Sequence, residues 1–195
     1  MKEFDPIREV MKQMIEVSQA ELDVFLKDCF TRTYTRKDLL NEPYKRADHV
    51  YFINKGIIRV VIVDCQGTDN TIHFALENQF IADYASFLQG TKSIQLLEAL
   101  EPTEVVVIPR KVVEWGYENM TEGEKLGRLI AEYYFVYLDN RIKNIYTKTP
   151  KERYDEITEI FPNIHNRAPQ HMIASYLGIT SVHLSRLKKE SKVKT

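Results

Sequence analysis

Gln170 to Lys189 (QHMIASYLGITSVHLSRLKK) combines residue types suited to reading a polyanion rather than to breaking a bond. Two short helices that cross steeply need a small residue where they touch and a glycine in the turn between them. Ala174 is that small residue, and Gly178, four positions on, suits a backbone leaving a helix with positive φ. Ile179 is expected to plug the turn, Thr180 or Ser181 to cap the second helix, and Leu184 and Leu187 to face inward. That leaves Ser181, Val182, His183, Ser185, Arg186, Lys188 and Lys189 on the outer surface. A guanidinium such as Arg186 can meet a guanine edge with two parallel hydrogen bonds. Lys188, Lys189 and the capping hydroxyl are suited to phosphates. His183 is expected to face solvent or phosphate rather than a base. The plain alternative is a helical hairpin whose alanine and glycine serve packing alone.

Charge falls on the same segment. The chain has 195 residues and a net charge of −1. From residue 163 onward there are six cations (Arg167, Arg186, Lys188, Lys189, Lys192, Lys194) against Glu190, so this part is +5 and the remainder 21 − 27 = −6. A basic block on an acidic chain favours a polyanionic partner, although a solubilising tail has the same composition. The sequence ends at Thr195, and phosphate anchoring is expected to fall to Lys188, Lys189, Lys192 and Lys194.

Other chemistries find little support. No Gly-x-Ser-x-Gly, phosphate-cradling glycine loop or paired-cysteine motif occurs. His49 and His73 stand 24 residues apart, with His165, His171 and His183 in the other half, so no His-x-His metal set forms. No metal site and no enzyme activity are expected. Glu77 and Asp83 are expected on a solvated surface, and His73 as a structural or exposed histidine. Cys29 and Cys65 are too few for a disulfide framework and are expected as free thiols, buried or partly so, in a reducing cytoplasm. No run approaches the roughly 18 apolar residues needed for a membrane span, and residues 1–10 lack a signal-peptide core.

The positioning elements follow from periodicity. Residues 7–28 have helical spacing, and Ser18 with Glu21 has capping-box spacing. Short β-branched or aromatic runs at 50–53, 57–63, 71–75 and 105–108 are separated by turn signals and predict a small barrel, sandwich or roll. Helical texture returns at 110–118 and again over 122–147. In the longer helix Leu126, Ile130, Tyr133 and Tyr137 share one face, while Leu129, Tyr134, Leu138, Ile142 and Ile145 widen the stripe. A helix apolar over so wide an arc is expected to pack on two sides, one of them against a partner. Thr149-Pro150 opens another helix and Pro162 closes it.

Tyr51 to Val60 (YFINKGIIRV) resembles the strand, glycine-turn, strand signature of the Crp/Fnr superfamily. Gln79 to Tyr84 resembles the opening of its cyclic-nucleotide cassette, and Leu97 to Leu100 with Val105 to Pro109 its last roll strands. The similarity covers nearly the whole chain. It implies an α+β fold: an N-terminal cyclic-nucleotide-binding-type β-roll with flanking helices (1–121), a long dimerisation helix (122–147) and an all-α helix-turn-helix domain (148–195). It also implies a cytoplasmic homodimeric transcription regulator bound to pseudo-palindromic double-stranded DNA, with RNA polymerase as a further partner and no membrane role. Half-sites are then expected about one helical turn apart.

The sequence departs from that pattern at the effector site. Relatives hold the ribose with Gly-Glu-Leu and the cyclic phosphate with Arg-Ser, where this chain has Ala82-Asp83-Tyr84 and Ser93-Ile94. No arginine lies between Arg59 and Arg110, and Lys92 is the cation expected near the pocket. No cofactor and no ordinary use of cAMP are expected; Asp83, Tyr84, Lys92 and Ser93 are the effector-pocket candidates, for an unidentified ligand if one exists. Relatives also place Arg-Glu at Ser181-Val182 and a further arginine at Arg186, so only Arg186 matches and the operator should differ. DNA-contact candidates are Thr180, Ser181, His183, Ser185, Arg186, Lys188 and Lys189. The alternative is a ligand-binding or scaffolding dimer that no longer binds DNA.

Overall fold

Two antiparallel sheets face one another across residues 30–109. The computed structural model describes residues 2–192, with side chains to residue 190. One sheet runs β1 (Phe30–Tyr34), β7 (Thr103–Pro109), β2 (His49–Lys55), β5 (Phe80–Ile81); the other runs β4 (Asp69–Ala75), β3 (Ile58–Val63), β6 (Gln95–Ala99). Alternation along β2 sorts its side chains between two cores. Tyr51 and Ile53 point between the sheets with Val60, Leu97, Val105 and Val107. Val50 and Phe52 point outward, where α1 (Asp5–Met14), α2 (Gln19–Leu26) and α4 (Arg110–Asn119) cover them. Ser18 and Glu21 form the predicted capping box at the start of α2.

The β2–β3 turn shows why Gly56 stands in the signature. Its φ is +103°, and a Cβ there would lie 2.4 Å from Thr103 Oγ1. Both backbone conformation and close approach therefore demand glycine. Between β5 and β6 the chain forms a short helix, α3 (Tyr84–Gln89), that the sequence pattern did not reveal.

α5 (Gly123–Thr147) spans 25 residues and lies along the roll. Its two faces differ from the predicted ones. Leu126, Ile130, Tyr134, Tyr137 and Arg141 turn toward the protein, whereas Tyr133, Phe135, Val136, Leu138, Ile142 and Ile145 are exposed. Steps of four, four, three and four residues keep that inner row in line on a helix of 3.6 residues per turn; Tyr133 falls out of phase with it.

After Thr149, whose side chain and Glu152 form a second capping box, come α6 (Pro150–Ile160), α7 (Ile164–Arg167), α8 (Gln170–Leu177) and α9 (Ser181–Lys192). The predicted boundary near residue 148 is a helix break but not a break in packing. Ile57, Phe74, Leu76 and Leu100 of the roll share one core with Phe161, Ile164, Ile173 and Tyr176. α8 lies against β4, where Thr71 N donates to Ser175 Oγ at 2.9 Å. Arg141 on α5 donates to both Thr71 O and Tyr176 O at 3.2 Å, tying three elements together.

Candidate nucleic-acid interface and ligand cavities

The turn between α8 and α9 has the geometry its residues require. Ala174 is buried where the helices meet, Gly178 has φ +67° and ψ +35°, and its N–H reaches Ala174 O and Ser175 O. Thr180 Oγ1 accepts from His183 N at 3.2 Å, so Thr180 rather than Ser181 supplies the cap. Leu184 and Leu187 are buried, which fixes the rotation of α9. Thr180, Ser181, Val182, His183, Ser185, Arg186 and Lys189 are all exposed, with Lys188 half-buried beside them. The side chain of Lys192, and Lys194 altogether, lie outside the described residues. Arg167 is not part of this surface, because it is bound to Glu77 and Glu101 of the roll; the outward basic face is thus narrower than the count of six cations suggested.

Nothing lies within 4 Å of a Cβ built on Gly178, so its substitution is a test of backbone strain alone. Gly178→Ala is expected to lower unfolding stability by about 1 kcal/mol, the cost of holding an L-residue in the left-handed region. Urea melts at constant protein concentration check this; an unchanged midpoint would mean that the turn relaxes.

The four effector-pocket candidates do not share one site. Asp83 is buried and held by four donors: its carboxylate accepts from Ser86 N (3.3 Å), Ser93 Oγ (2.8 Å), Ile94 N (3.1 Å) and Gln95 N (3.3 Å). It caps α3 through Oδ1 and fixes the following loop through Oδ2, so its carboxylate is committed to internal structure. Asp83 and Ser93 border a cavity of about 460 Å³ at the open end of the roll, beside Tyr34 and Tyr51. Lys92 borders neither this cavity nor the next; it is exposed, in a β-bridge with Arg46. The cations on the 460 Å³ cavity are Arg32, Lys45 and Arg46, which correct the expectation of Lys92 alone. They are brought there by β1 and by the segment after it, which pairs along residues 91–99 through bonds such as Ser93 N to Lys45 O at 2.7 Å. Lys45 and Arg46 are paired with Glu42 and Asp48.

Tyr84 faces the opposite way, toward α5. Its ring stacks on Tyr134 at 6.1 Å and 25°, and both border a second cavity of about 330 Å³ between roll and helix. His73, Ile72, Ile81, Gln95 and Leu138 also line it. No aspartate, glutamate, lysine or arginine does. Periodicity did not mark this cavity because it depends on how α5 is rotated against β3, β4 and α3.

Several expectations for single residues change. Glu77 and Asp83 are not solvated surface groups, since Glu77 holds Arg167 and Gly56 N. His73 is buried, the structural one of the two expected placements. Cys29 is buried, and burial, with Asp28 adding to it, pushes its thiol up to about 12; Cys65 is exposed. Among the described residues no group of three His, Cys, Asp or Glu side chains stands ready to hold a metal ion. No helix of the described residues is long and apolar enough to cross a membrane.

This fold, a two-sheet roll followed by a long helix and a helix-turn-helix, is similar to that of solved regulators of the crp/fnr family. Residues 31–119 match the family model of the cyclic nucleotide-binding domain. The cAMP-activated global transcriptional regulator CRP of Salmonella typhimurium is 28% identical over 90 residues, 46% of this chain and 43% of that protein. The match thus spans less than half the length of these curated relatives. Among solved structures, FixK2 from Bradyrhizobium japonicum is similar with TM-score 0.73 at 16% identity, over 85% of each chain. A candidate transcriptional regulator of the crp/fnr family from Eubacterium rectale has TM-score 0.72 at 14% identity, over 100% of this chain and 89% of that one.

Proposed function

We propose that this chain is a dimeric, sequence-specific DNA-binding transcription regulator of the Crp/Fnr type that acts without catalysis, in the cytoplasm. The observation that carries the reading is α9. It is capped by Thr180, fixed from behind by buried Leu184 and Leu187, and presents Ser181, His183, Ser185, Arg186 and Lys189 outward. Arg186 supplies the main base contact and Lys188 and Lys189 hold phosphates. The exposed apolar face of α5 supports a homodimer, and two recognition helices then address two half-sites. RNA polymerase as a partner rests on the resemblance to transcription regulators. Ordinary cAMP use is not part of the proposal. Asp83 is engaged by internal donors, Ser93 stands where relatives carry an arginine, and of the cations on the cavity they border Lys45 and Arg46 are paired with Glu42 and Asp48.

Selection of binding sites from random double-stranded DNA tests this, with Arg186→Ala beside the wild type. A palindromic consensus is expected, relaxed at one position per half-site in the variant at a cost of about 1–3 kcal/mol per contact. No enrichment for either the free protein or the protein supplemented with cell extract would favour the scaffolding dimer instead.

A further inference from the structure

Val182 is the second residue of α9 and is 64% exposed. Among the described residues of α6 to α9, the other exposed large apolar side chain is Ile160, the last residue of α6. Neither packing nor local helix formation accounts for a valine at position 182. Most of its surface stays in water, and a β-branched residue is a weaker helix former than alanine. Its direction is set by buried Leu184 and Leu187 behind it. At about 100° of turn per residue, the direction opposite that pair falls within about 10° of Val182 and Lys189, with Ser185 and Arg186 about 50° to either side. Val182 thus stands at the crest of the outward face, in the first turn of a helix whose N-terminal residues meet base edges. We infer that Val182 reads the C5 methyl group of a thymine, beside the guanine met by Arg186. The inference deepens the regulator reading and rests on it.

A valine has no donor or acceptor, so it cannot tell the bases apart by their hydrogen-bonding edges. The thymine methyl is the apolar group that the major groove presents, and packing it on an isopropyl group removes both from water. A polar base edge set against Val182 would instead lose its water without gaining a partner. No aspartate, glutamate, asparagine or glutamine occurs over residues 180–189, so this face has no carboxylate for cytosine N4 and no amide for adenine. The hydroxyls of Ser181 and Ser185 bond to several bases and discriminate little. His183 is turned about 110° away from the crest. Guanine through Arg186 and thymine through Val182 remain as the specific readings. Four residues along a helix advance about 6 Å, close to two base-pair steps of about 3.4 Å, so the thymine is expected within two base pairs of the guanine.

The duplex selected from random DNA tests this on the full chain, with each thymine of both half-sites replaced in turn by deoxyuridine. Deoxyuridine keeps every hydrogen-bonding group of thymine and lacks only the methyl. At one thymine beside the guanine lost in Arg186→Ala, the replacement is expected to weaken wild-type binding about fourfold per half-site, about fifteenfold for the two together. Val182→Ser is expected to bind the thymine and uracil duplexes equally at that position. Val182→Thr, which keeps one methyl group, should retain part of the preference. Both variants change an exposed side chain, so their melting temperatures should stay close to that of wild type. Loss of discrimination between thymine and uracil, rather than of affinity alone, is what a merely structural valine would not give. A consensus with no thymine within two base pairs of that guanine overturns the inference. So does a thymine whose replacement leaves binding unchanged, or a methyl preference undiminished in Val182→Ser. Absence of any selected sequence removes the regulator reading and this inference with it, whereas a palindrome indifferent to the methyl removes this inference alone.

Discussion

Ile142→Asp is expected to turn the protein into a monomer and to lower its affinity for a two-half-site DNA by about a thousandfold, the scale of lost bivalency. Ala131, Phe135, Leu138, Ile142 and Ile145 follow one another at steps of four, three, four and three residues, the spacing of a coiled-coil seam. Phe135 is 72% exposed and Ile142 56%, so within one subunit this seam has no cover. Exposed apolar side chains are ordinary singly, but a continuous row along a helix marks a contact surface. A carboxylate at position 142 would lie beside its counterpart in a symmetric dimer, desolvated and facing a like charge. Because Ile142 contributes nothing to the subunit's own core, the helical content should be kept. Sedimentation velocity reads the mass and a DNA titration reads the affinity. A variant that remains dimeric places the subunit contact elsewhere, and one that is monomeric but binds DNA as well as wild type removes the need for two half-sites.

What was legible in the sequence was local. The helix-turn-helix is specified within a few turns of chain: Ala174, Gly178 and Thr180 each do their work on immediate neighbours, and the structure places each where its type is needed. The capping box at Ser18 was readable for the same reason. Contacts across the chain were not. Arg59, a charged residue within the strand signature, is 3% exposed, with Nε donating to Thr71 Oγ1 and a salt bridge to Glu98 on β6. β1 has the sequence FTRTY, too polar to stand out from a loop, and is a strand because it pairs with β7. The effector candidates rest on order along the cassette alone. Order does not tell which side of α3 a side chain faces, so Asp83 and Tyr84, adjacent in sequence, border different cavities.

Arg167 is the extreme of that long-range kind, and its loss should loosen the C-terminal domain from the roll. Its guanidinium makes a two-bonded contact with Glu77 (Nη1 at 3.0 Å, Nη2 at 2.7 Å) and a second contact with Glu101, whose positions are 90 and 66 residues away. The charges meet at the edge of the apolar core that joins the domains, where Phe74 packs on Phe161 and Tyr176. All three side chains keep partial solvent access, so the whole clamp is expected to contribute about 2 kcal/mol rather than the larger value of a sealed pair. Arg167→Ala leaves two neighbouring carboxylates with no cation between them, and should cost more than Glu101→Ala, which leaves the Glu77 contact intact. A double-mutant cycle on unfolding stability should return a clear coupling between positions 167 and 101, with hydrogen exchange faster in α8 than in α5 for Arg167→Ala. Acid should reproduce the effect. Burial pushes the Glu77 carboxyl up, but Arg167, its own backbone N–H and the backbone N–H of Gly56 together outweigh it and hold it below its ordinary value. A carboxyl lowered in the folded state contributes stability above its unfolded value of about 4.3, and that contribution fades as pH falls through the folded value. Wild type should therefore lose domain docking below about pH 4, while Arg167→Ala, already lacking the cation, should show a flatter dependence over the same range. Equal slopes in the two proteins would mean that the apolar core alone joins the domains and that the clamp only decorates its edge.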